Sequence, residues 1–412
     1  MASALSPRFQ QVFPPPMDDV YMDQMDLKTL YRFSWTCKEL SDRVSGYMRR
    51  AFRPENLFAP IFKPDEHLPF RLLQFKTGLV ISGSTVLHFI NCANTWIPGD
   101  MDMYVEHRYA LPVLSWMMSI GFTIMPHPKY PDNATAEQIL KMEKIVLQEH
   151  PLHRHYNTTG VVVNLWRQGS FVQLITTCQS VVECILGYHS TGVMNFVTFE
   201  KVYSLYPNAT FGHQVSLLQP PANLKRAQKF LAKYHSRGLK FVLSIPSQTL
   251  KMDRHIRSRI QSIRDNLNVG YSSSRGHVLV ELHYDPRPEL FSPGIRRVGD
   301  RHCWVYSLPL LPEANQTSFI EANSWALLLD EFDCLHFGVR RISGITLDFH
   351  YTAADVYQLH ERVKKAIKSW ERGIRQKDDR VHATVLYLLS RKADIFWLHR
   401  PRPQSLLWNG YL

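Results

Sequence analysis

The fold is decided between residues 79 and 105, where Leu79-Val80-Ile81-Ser82-Gly83-Ser84 is followed by Asp100-Met101-Asp102-Met103-Tyr104-Val105. The apolar run in the first stretch predicts a short strand, which the Gly-Ser pair ends before an apolar helix. The second stretch alternates in side-chain polarity and predicts another strand. We therefore expect an α/β segment with a sheet and covering helices over residues 70–215.

Asp100 and Asp102 are two residues apart on this second strand, so both project from one of its faces. Two convergent carboxylates suit a hard divalent cation such as Mg²⁺, with phosphate oxygens completing its coordination shell. The turn at Gly83 and Ser84 offers backbone N–H groups and a hydroxyl to a phosphate. These residues predict a Mg²⁺–nucleotide site. The alternative is a surface strand whose two acids meet solvent or basic neighbours.

A helical unit precedes this segment, over residues 1–60. Asp26 lies at an N-cap position, and Leu27, Leu30 and Leu40 follow a spacing that places them on one helix face. Three helices in about fifty residues bury too little apolar surface to be stable alone. We expect this unit to dock onto another part of the chain or onto a partner.

The Pro220-Pro221 pair predicts a boundary before a third region, residues 221–412, for which the pattern predicts an α+β fold. This region begins with a basic stretch. Its candidate contacts to nucleic acid are Lys225, Arg226, Lys229 and Lys233. The alternative for such a stretch is a solvated helix face. Farther on, the pattern Thr352-x-x-Asp355 predicts that Thr352 caps a helix.

The composition sets broad limits on the kind of protein. The chain has 412 residues, of which 45% are hydrophobic, and a formal net charge of +12. This excludes a mainly disordered chain and permits a polyanionic partner. The sequence contains no run of 18 apolar residues, so it predicts no membrane-spanning helix. The six cysteines form no C-x-x-C pair. We expect an intracellular protein, cytoplasmic or nuclear, with reduced cysteines.

Two resemblances sharpen these expectations. Gly83-Ser84 followed by Asp100-Met101-Asp102 resembles the signature of the nucleotidyltransferase-like superfamily. The stretch from Gly83 to Val105, together with residues 188–196 and 204–207, resembles a large uncharacterised fungal family whose members often carry an F-box-like N-terminus. Residues 16–40 also resemble that F-box-like module. The resemblance implies a multidomain chain with a nucleotidyltransferase-like mixed sheet at its centre.

The chain departs from the superfamily at the third carboxylate, which active members carry on a later strand. The matching position on the strand expected at residues 171–175 is Gln173. An amide cannot replace a carboxylate as a metal ligand and as the base for an attacking hydroxyl. With Asp100 and Asp102 alone, one Mg²⁺–nucleotide could still bind. Catalysis with two metal ions would be strongly impaired, because the third carboxylate is missing.

We therefore expect a non-catalytic binding or adaptor protein. The F-box resemblance implies a ubiquitin-ligase substrate receptor, whose Leu27, Leu30 and Phe33 would bind the adaptor subunit of a cullin-type ligase. One alternative is a Mg²⁺-dependent nucleotidyltransferase that uses Asp100 and Asp102. A second alternative is a nucleic-acid-binding protein that uses the basic stretch. Mg²⁺ is the only cofactor that these patterns indicate.

Overall fold

The strands and helices expected around Asp102 are present in the computed structural model. The structure describes residues 17–91, 96–126, 134–141, 159–219, 224–243, 271–273, 276–278, 282–284, 288–312, 319–329, 335–342 and 347–354. The helices are α1 Asp18–Met22, α2 Leu27–Ser34, α3 Lys38–Ala51, α4 Pro54–Phe58, α5 His67–Thr77, α6 Gly83–Ile90, α7 Ala110–Ser119, α8 Val181–Leu186 and α9 Leu224–His235. The strands up to residue 217 are β1 Val80–Ser82, β2 Met101–Glu106, β3 Thr123–Ile124, β4 Thr159–Arg167, β5 Ser170–Thr177, β6 Asn195–Val197, β7 Lys201–Ser204 and β8 Val215–Leu217. The later strands are β9 Lys240–Leu243, β10 Tyr271–Ser273, β11 Gly276–Val278, β12 Leu282–Tyr284, β13 Gly294–Arg297, β14 Trp304–Ser307, β15 Ser324–Leu329, β16 Leu335–Ile342 and β17 Tyr351–Ala354.

One mixed sheet of eight strands organises the molecule, in the order β14-β7-β6-β1-β2-β5-β4-β3. Strands β2 and β5 are parallel, and their neighbours in the sheet pair antiparallel. The hairpin β4–β5 turns at Gln168 and Gly169, which both have positive φ, as a tight hairpin turn requires. The predicted α/β fold with a mixed sheet and covering helices is confirmed.

The alternation along β2 divides the core into two layers. Met101, Met103 and Val105 are fully buried on one face, in a cluster that also contains residues from the N-terminal helices. Tyr104 lies on the opposite face, in a second cluster with α8 and the strands β15 and β16. Asp102 lies on this second face because successive side chains of a strand alternate.

The N-terminal helices pack against the large sheet. Asp26 caps α2 by accepting a hydrogen bond from the backbone N–H of Thr29 at 2.7 Å. Leu27 and Leu30 are completely buried, and Trp304 on β14 donates through its Nε1 to the hydroxyl of Tyr31 at 2.8 Å. This sheet is therefore a surface onto which the helical unit docks within its own chain.

A β–α–β unit spans the proline pair that predicts a domain boundary. Strands β8 and β9 pair in parallel, and α9 lies between them in the chain. The expected limits at 215 and 221 therefore fall within this unit, and the division into three domains at 1–60, 70–215 and 221–412 stays a prediction.

The described part of the C-terminal region is rich in strands. The strands β13, β15, β16 and β17 form an antiparallel sheet, and its Trp325 and Leu327 pack in the second core layer. Thr352, predicted to cap a helix, lies within β17 and pairs with Arg341. A Thr-x-x-Asp pattern is local and does not reveal a distant strand partner. The helix expected after Thr352 lies outside the described residues.

Among the helices described between residues 17 and 354, none is both long and apolar enough to cross a membrane.

Candidate functional site

Asp102 is the second residue of β2, and Asp100 lies just before the strand begins. Both side chains are partly exposed, in contrast to the fully buried Met101 and Met103. The alternation that buries the methionines on one face thus places Asp102 on the opposite face of β2, where it is largely but not completely buried. Thr85 on α6 donates a hydrogen bond from its hydroxyl to the backbone carbonyl of Asp100, which holds this end of β2 against α6.

Gly83 meets the Asp102 side chain at the start of α6. Its φ is +74°, and a Cβ at this position would lie 2.1 Å from Oδ2 of Asp102. Glycine populates this left-handed region without steric cost and leaves room for the carboxylate. The Gly-Ser turn and the Asp-x-Asp strand are therefore in direct contact.

We expect Gly83→Ala to destabilise the protein, because the backbone strain alone costs about 1–3 kcal/mol and the new methyl group must displace Asp102. Gly99→Ala is the matched control, since a Cβ there meets nothing within 4 Å. Urea unfolding of both variants measures the difference. Equal stability of the two variants would contradict the close packing of Gly83 against Asp102.

Ser84 follows in the first turn of α6. The residue is 2% exposed, and its Oγ has no hydrogen-bond partner among the residues that the structure describes. Buried hydroxyls in native proteins are nearly always hydrogen-bonded, so such an atom calls for an explanation. A phosphate oxygen at this helix N-terminus would provide the missing partner.

The electrostatics of the pair indicate a site suited to a cation. Burial and, to a smaller extent, the negative charge of Asp100 raise the pKa of Asp102 to about 7, while the Lys233 ammonium opposes this rise. A neighbouring like charge disfavours ionisation of a carboxyl group, and a divalent cation between two such groups favours it. A divalent cation between the two groups would favour the ionised form of both.

Gln173 occupies the position beside Asp102 on the neighbouring strand. The parallel register pairs Asp102 with Gln173, and residues paired across two strands share one face of the sheet. The Nε2 group of Gln173 donates to Oδ1 of Asn164 on β4 at 3.2 Å. Across the described ranges, no cluster of three or more His, Cys, Asp or Glu side chains is arranged to hold a metal.

Helix α9 and the residues after it bring aromatic and basic groups to the carboxylates. The charge of Lys233 acts on Asp102. Tyr234 is buried, which raises its pKa, and the charges of Asp102 and Asp100 act in the same direction. The pKa of Arg237 is lowered by burial, while Tyr234 and Asp100 oppose this shift. Groups beyond the proline pair thus lie within electrostatic reach of both aspartates.

Further aromatic rings lie beside Lys233, Tyr234 and Arg237, and together these side chains form a wall near the two aspartates. His189 stacks on Phe230 with ring centroids 3.6 Å apart. Burial and the charge of Lys233 lower the pKa of His189 to about 3, so the imidazole is neutral near pH 7. Arg237 lies 3.8 Å from the ring centroid of Trp96, and a cation over an aromatic face is attracted to it.

The sequence patterns did not predict that Phe230, Tyr234 and Arg237 would lie near the two aspartates. Phe230, Tyr234 and Arg237 follow the i, i+4, i+7 spacing that places residues on one helical face. That spacing was the available signal, but it does not show which surface the face covers. The structure brings Lys233, one of the basic candidates, to the aspartates. Lys225, Arg226 and Lys229 lie on α9, and their side chains are outside what the structure describes.

The three residues predicted to bind an adaptor differ in how deeply they are buried. Leu27 and Leu30 are completely buried, whereas Phe33 is partly exposed. Their packing in the core leaves Leu27 and Leu30 no surface to offer a partner. Trp35, just after α2, is 60% exposed.

Comparisons with other proteins give one similarity. No known protein family matches the chain, and none of the curated proteins does. Among solved structures, the chain is similar to the Thermotoga maritima CCA-adding enzyme complexed with tRNA-CCA, with 12% sequence identity and a TM-score of 0.32. The match covers 54% of this chain and 57% of that chain, less than two thirds of its length. So low a TM-score does not by itself assign this chain a fold or an activity.

Proposed function

We propose that this protein binds a Mg²⁺–nucleoside triphosphate at Asp100 and Asp102 and does not transfer its nucleotidyl group. The observation that carries the proposal is the contact between Gly83 and Asp102, with the unpartnered Ser84 hydroxyl beside it. One turn of helix thus presents a phosphate site directly against a carboxylate pair.

The residues fit a single Mg²⁺ ion. Magnesium prefers carboxylate oxygens, retains several waters and is often held by one or two carboxylates together with substrate phosphates. Asp100 and Asp102 supply the carboxylates, and the first turn of α6 with Ser84 supplies donors to the phosphates. Burial and the charge of Asp100 raise the pKa of Asp102, and a divalent cation bound by both groups would favour their ionised forms.

The position of Gln173 argues against transfer. Nucleotidyl transfer needs an acceptor hydroxyl that loses its proton, and a general base must stand within hydrogen-bond reach of that proton. Gln173 is neutral, and its amide donates to Asn164. The side chain next to Asp102 therefore offers neither a charge to a second metal nor a base to an acceptor.

Two cations within electrostatic reach of the aspartates complement a triphosphate. Lys233 acts electrostatically on Asp102 and Arg237 on Asp100. A triphosphate carries more negative charge than one Mg²⁺ neutralises, and ammonium and guanidinium groups are the usual partners of phosphate oxygens. We therefore assign Lys233 and Arg237 to the phosphates.

The test is equilibrium titration of the full chain with ATP, with and without Mg²⁺. We expect Mg²⁺-dependent binding that Asp102→Asn weakens at least tenfold, because an amide supplies a dipole but no charge. Asp65→Asn is the matched control, since Asp65 is exposed and lies outside the site. Binding that is absent in the wild type, or unchanged in Asp102→Asn, would refute the proposal.

The ligase-adaptor and nucleic-acid roles stay predictions. The adaptor role would have to use the exposed Trp35 and the partly exposed Phe33, because Leu27 and Leu30 lie in the core. A nucleic-acid role depends on side chains of the basic stretch, most of which lie outside the described residues. Salt-sensitive retention of RNA or DNA would test it.

A further inference from the structure

A short apolar segment follows β14, which is an edge strand of the eight-stranded sheet. It consists of Leu308-Pro309-Leu310-Leu311-Pro312, and residues 308–311 belong to neither a helix nor a strand. Leu310 is 94% exposed, more than any other large apolar side chain that the structure describes. Pro309 and Pro312 are exposed as well. Single exposed apolar residues are common, whereas a contiguous exposed group of them marks an interaction site.

The prolines restrict the backbone of this segment. Each proline ring fixes its own φ at about −65°, and each proline disfavours the helical region for the residue before it. Because Leu308 precedes Pro309 and Leu311 precedes Pro312, every residue of the segment except Leu310 is restricted. These restrictions favour the polyproline II helix, an extended left-handed helix with three residues per turn.

The burial of the side chains follows the same period of three residues. Leu308 and Leu311 are both 5% exposed, whereas Pro309 and Pro312 are both exposed. In a helix with three residues per turn, positions i and i+3 lie along one edge. The segment therefore packs its leucine edge on the protein and presents two edges to solvent, one with the prolines and one with Leu310.

Hydrogen bonds hold the backbone of the segment in place. The N–H of Leu308 donates to the carbonyl of Glu200 at 2.7 Å. Arg71 on α5 is buried, and its Nη2 donates to the carbonyl of Pro309 at 2.6 Å. The segment is thus fixed before a partner arrives, which reduces the entropy lost on binding.

We propose that residues 308–312 bind a protein domain that recognises proline-rich segments through a groove lined by aromatic side chains. Such domains dock Pro-x-x-Pro segments in the polyproline II conformation, and Pro309 and Pro312 have this spacing. Since Leu308 and Leu311 pack on the chain itself, the groove would contact the proline edge together with Leu310. The proposal does not depend on nucleotide binding at Asp102.

The test measures binding of the full chain to a panel of purified SH3 and WW domains, which have grooves of this kind. We expect at least one domain to bind. An excess of that domain's own Pro-x-x-Pro peptide should displace the chain, because both would occupy the same groove. Biolayer interferometry with the domains immobilised gives the affinities and the displacement.

Leu310→Asp is expected to weaken this binding at least tenfold, because its carboxylate would lose hydration in an apolar groove. The fold should be unaffected, since Leu310 is almost wholly exposed. Ile97→Asp is the matched control, because Ile97 is 87% exposed and lies before β2, outside the segment. The double variant Pro309→Ala with Pro312→Ala is a second test. It keeps the surface apolar but removes both rings and the restriction on φ, so at least fivefold weaker binding is expected.

Three results would overturn the proposal. The first is that no domain of the panel binds the wild type. The second is binding that persists unchanged in Leu310→Asp or in the presence of the competing peptide. The third is an equal loss in Ile97→Asp, since the binding would then depend on exposed apolar side chains in general and not on residues 308–312.

Discussion

Arg296→Met is expected to destabilise the protein by about 3–5 kcal/mol, the usual cost of removing one partner of a buried ion pair. Arg296 on β13 is 1% exposed. Its Nε donates to Asp300 at 2.7 Å and its Nη2 donates to the carbonyl of Leu205 at 3.0 Å. The guanidinium carbon also lies 5.2 Å from the ring centroid of Tyr206 and 5.3 Å from that of Trp325. It thus joins the C-terminal sheet to the end of β7, and its loss leaves Asp300 buried without a cation.

The acid dependence of this effect has a definite sign. Burial alone would raise the pKa of Asp300, but the charge and hydrogen bonds of Arg296 outweigh it and lower the pKa from 3.8 to about 2. The stabilisation from the pair is therefore present above pH 4 and is lost as the pH falls towards 2. Urea unfolding from pH 7 to pH 2 should show the difference between wild type and Arg296→Met shrink across this window. Arg301→Met, at an exposed position, is the control, and an equal loss there would contradict the account.

The double variant Leu27→Asp with Leu30→Asp is expected to unfold at least the N-terminal helices. Both side chains are completely buried in the cluster that also contains β2 and β5. Losses above 4–5 kcal/mol are exceptional for single substitutions, and unpaired buried charges are one of their causes. Circular dichroism during thermal unfolding measures the loss.

The control for this variant is Trp35→Asp, because Trp35 is largely exposed. It should leave the melting temperature nearly unchanged. It also gives the adaptor hypothesis a test that folding does not confound, since capture of a ligase adaptor through exposed helix residues should weaken in this variant. A double variant as stable as the wild type would contradict the burial of Leu27 and Leu30.

The local sequence predicts much of the sheet because the pattern reflects burial. The alternation from Met101 to Val105 predicts the strand correctly. Every second side chain there is buried on one face of the sheet, and that burial produces the alternation in the sequence. Thr135 and Gln138, three residues apart, likewise form a capping box with both of its hydrogen bonds. Such patterns involve residues a few positions apart, which a single sequence displays directly.

The remaining features depend on contacts between distant residues. An apolar stripe such as Leu27 and Leu30 indicates that a helix face is covered, but the same stripe suits a partner protein and the chain's own sheet. The approach of Lys233 and Arg237 to Asp100 and Asp102 spans more than 130 residues of sequence. No local pattern encodes it, because the position of α9 follows from the pairing of β8 with β9.

The most direct test of the central claim is a transfer assay at ATP and Mg²⁺ concentrations that titration has shown to saturate the wild-type site. Labelled ATP is incubated with the full chain and several hydroxyl acceptors, with Mg²⁺ or Mn²⁺, and Asp100→Asn serves as the blank. We expect full occupancy with incorporation no higher than in the blank, because Gln173 offers no base and no charge to a second metal. Robust incorporation that disappears in Asp100→Asn would contradict it and identify the protein as a working nucleotidyltransferase.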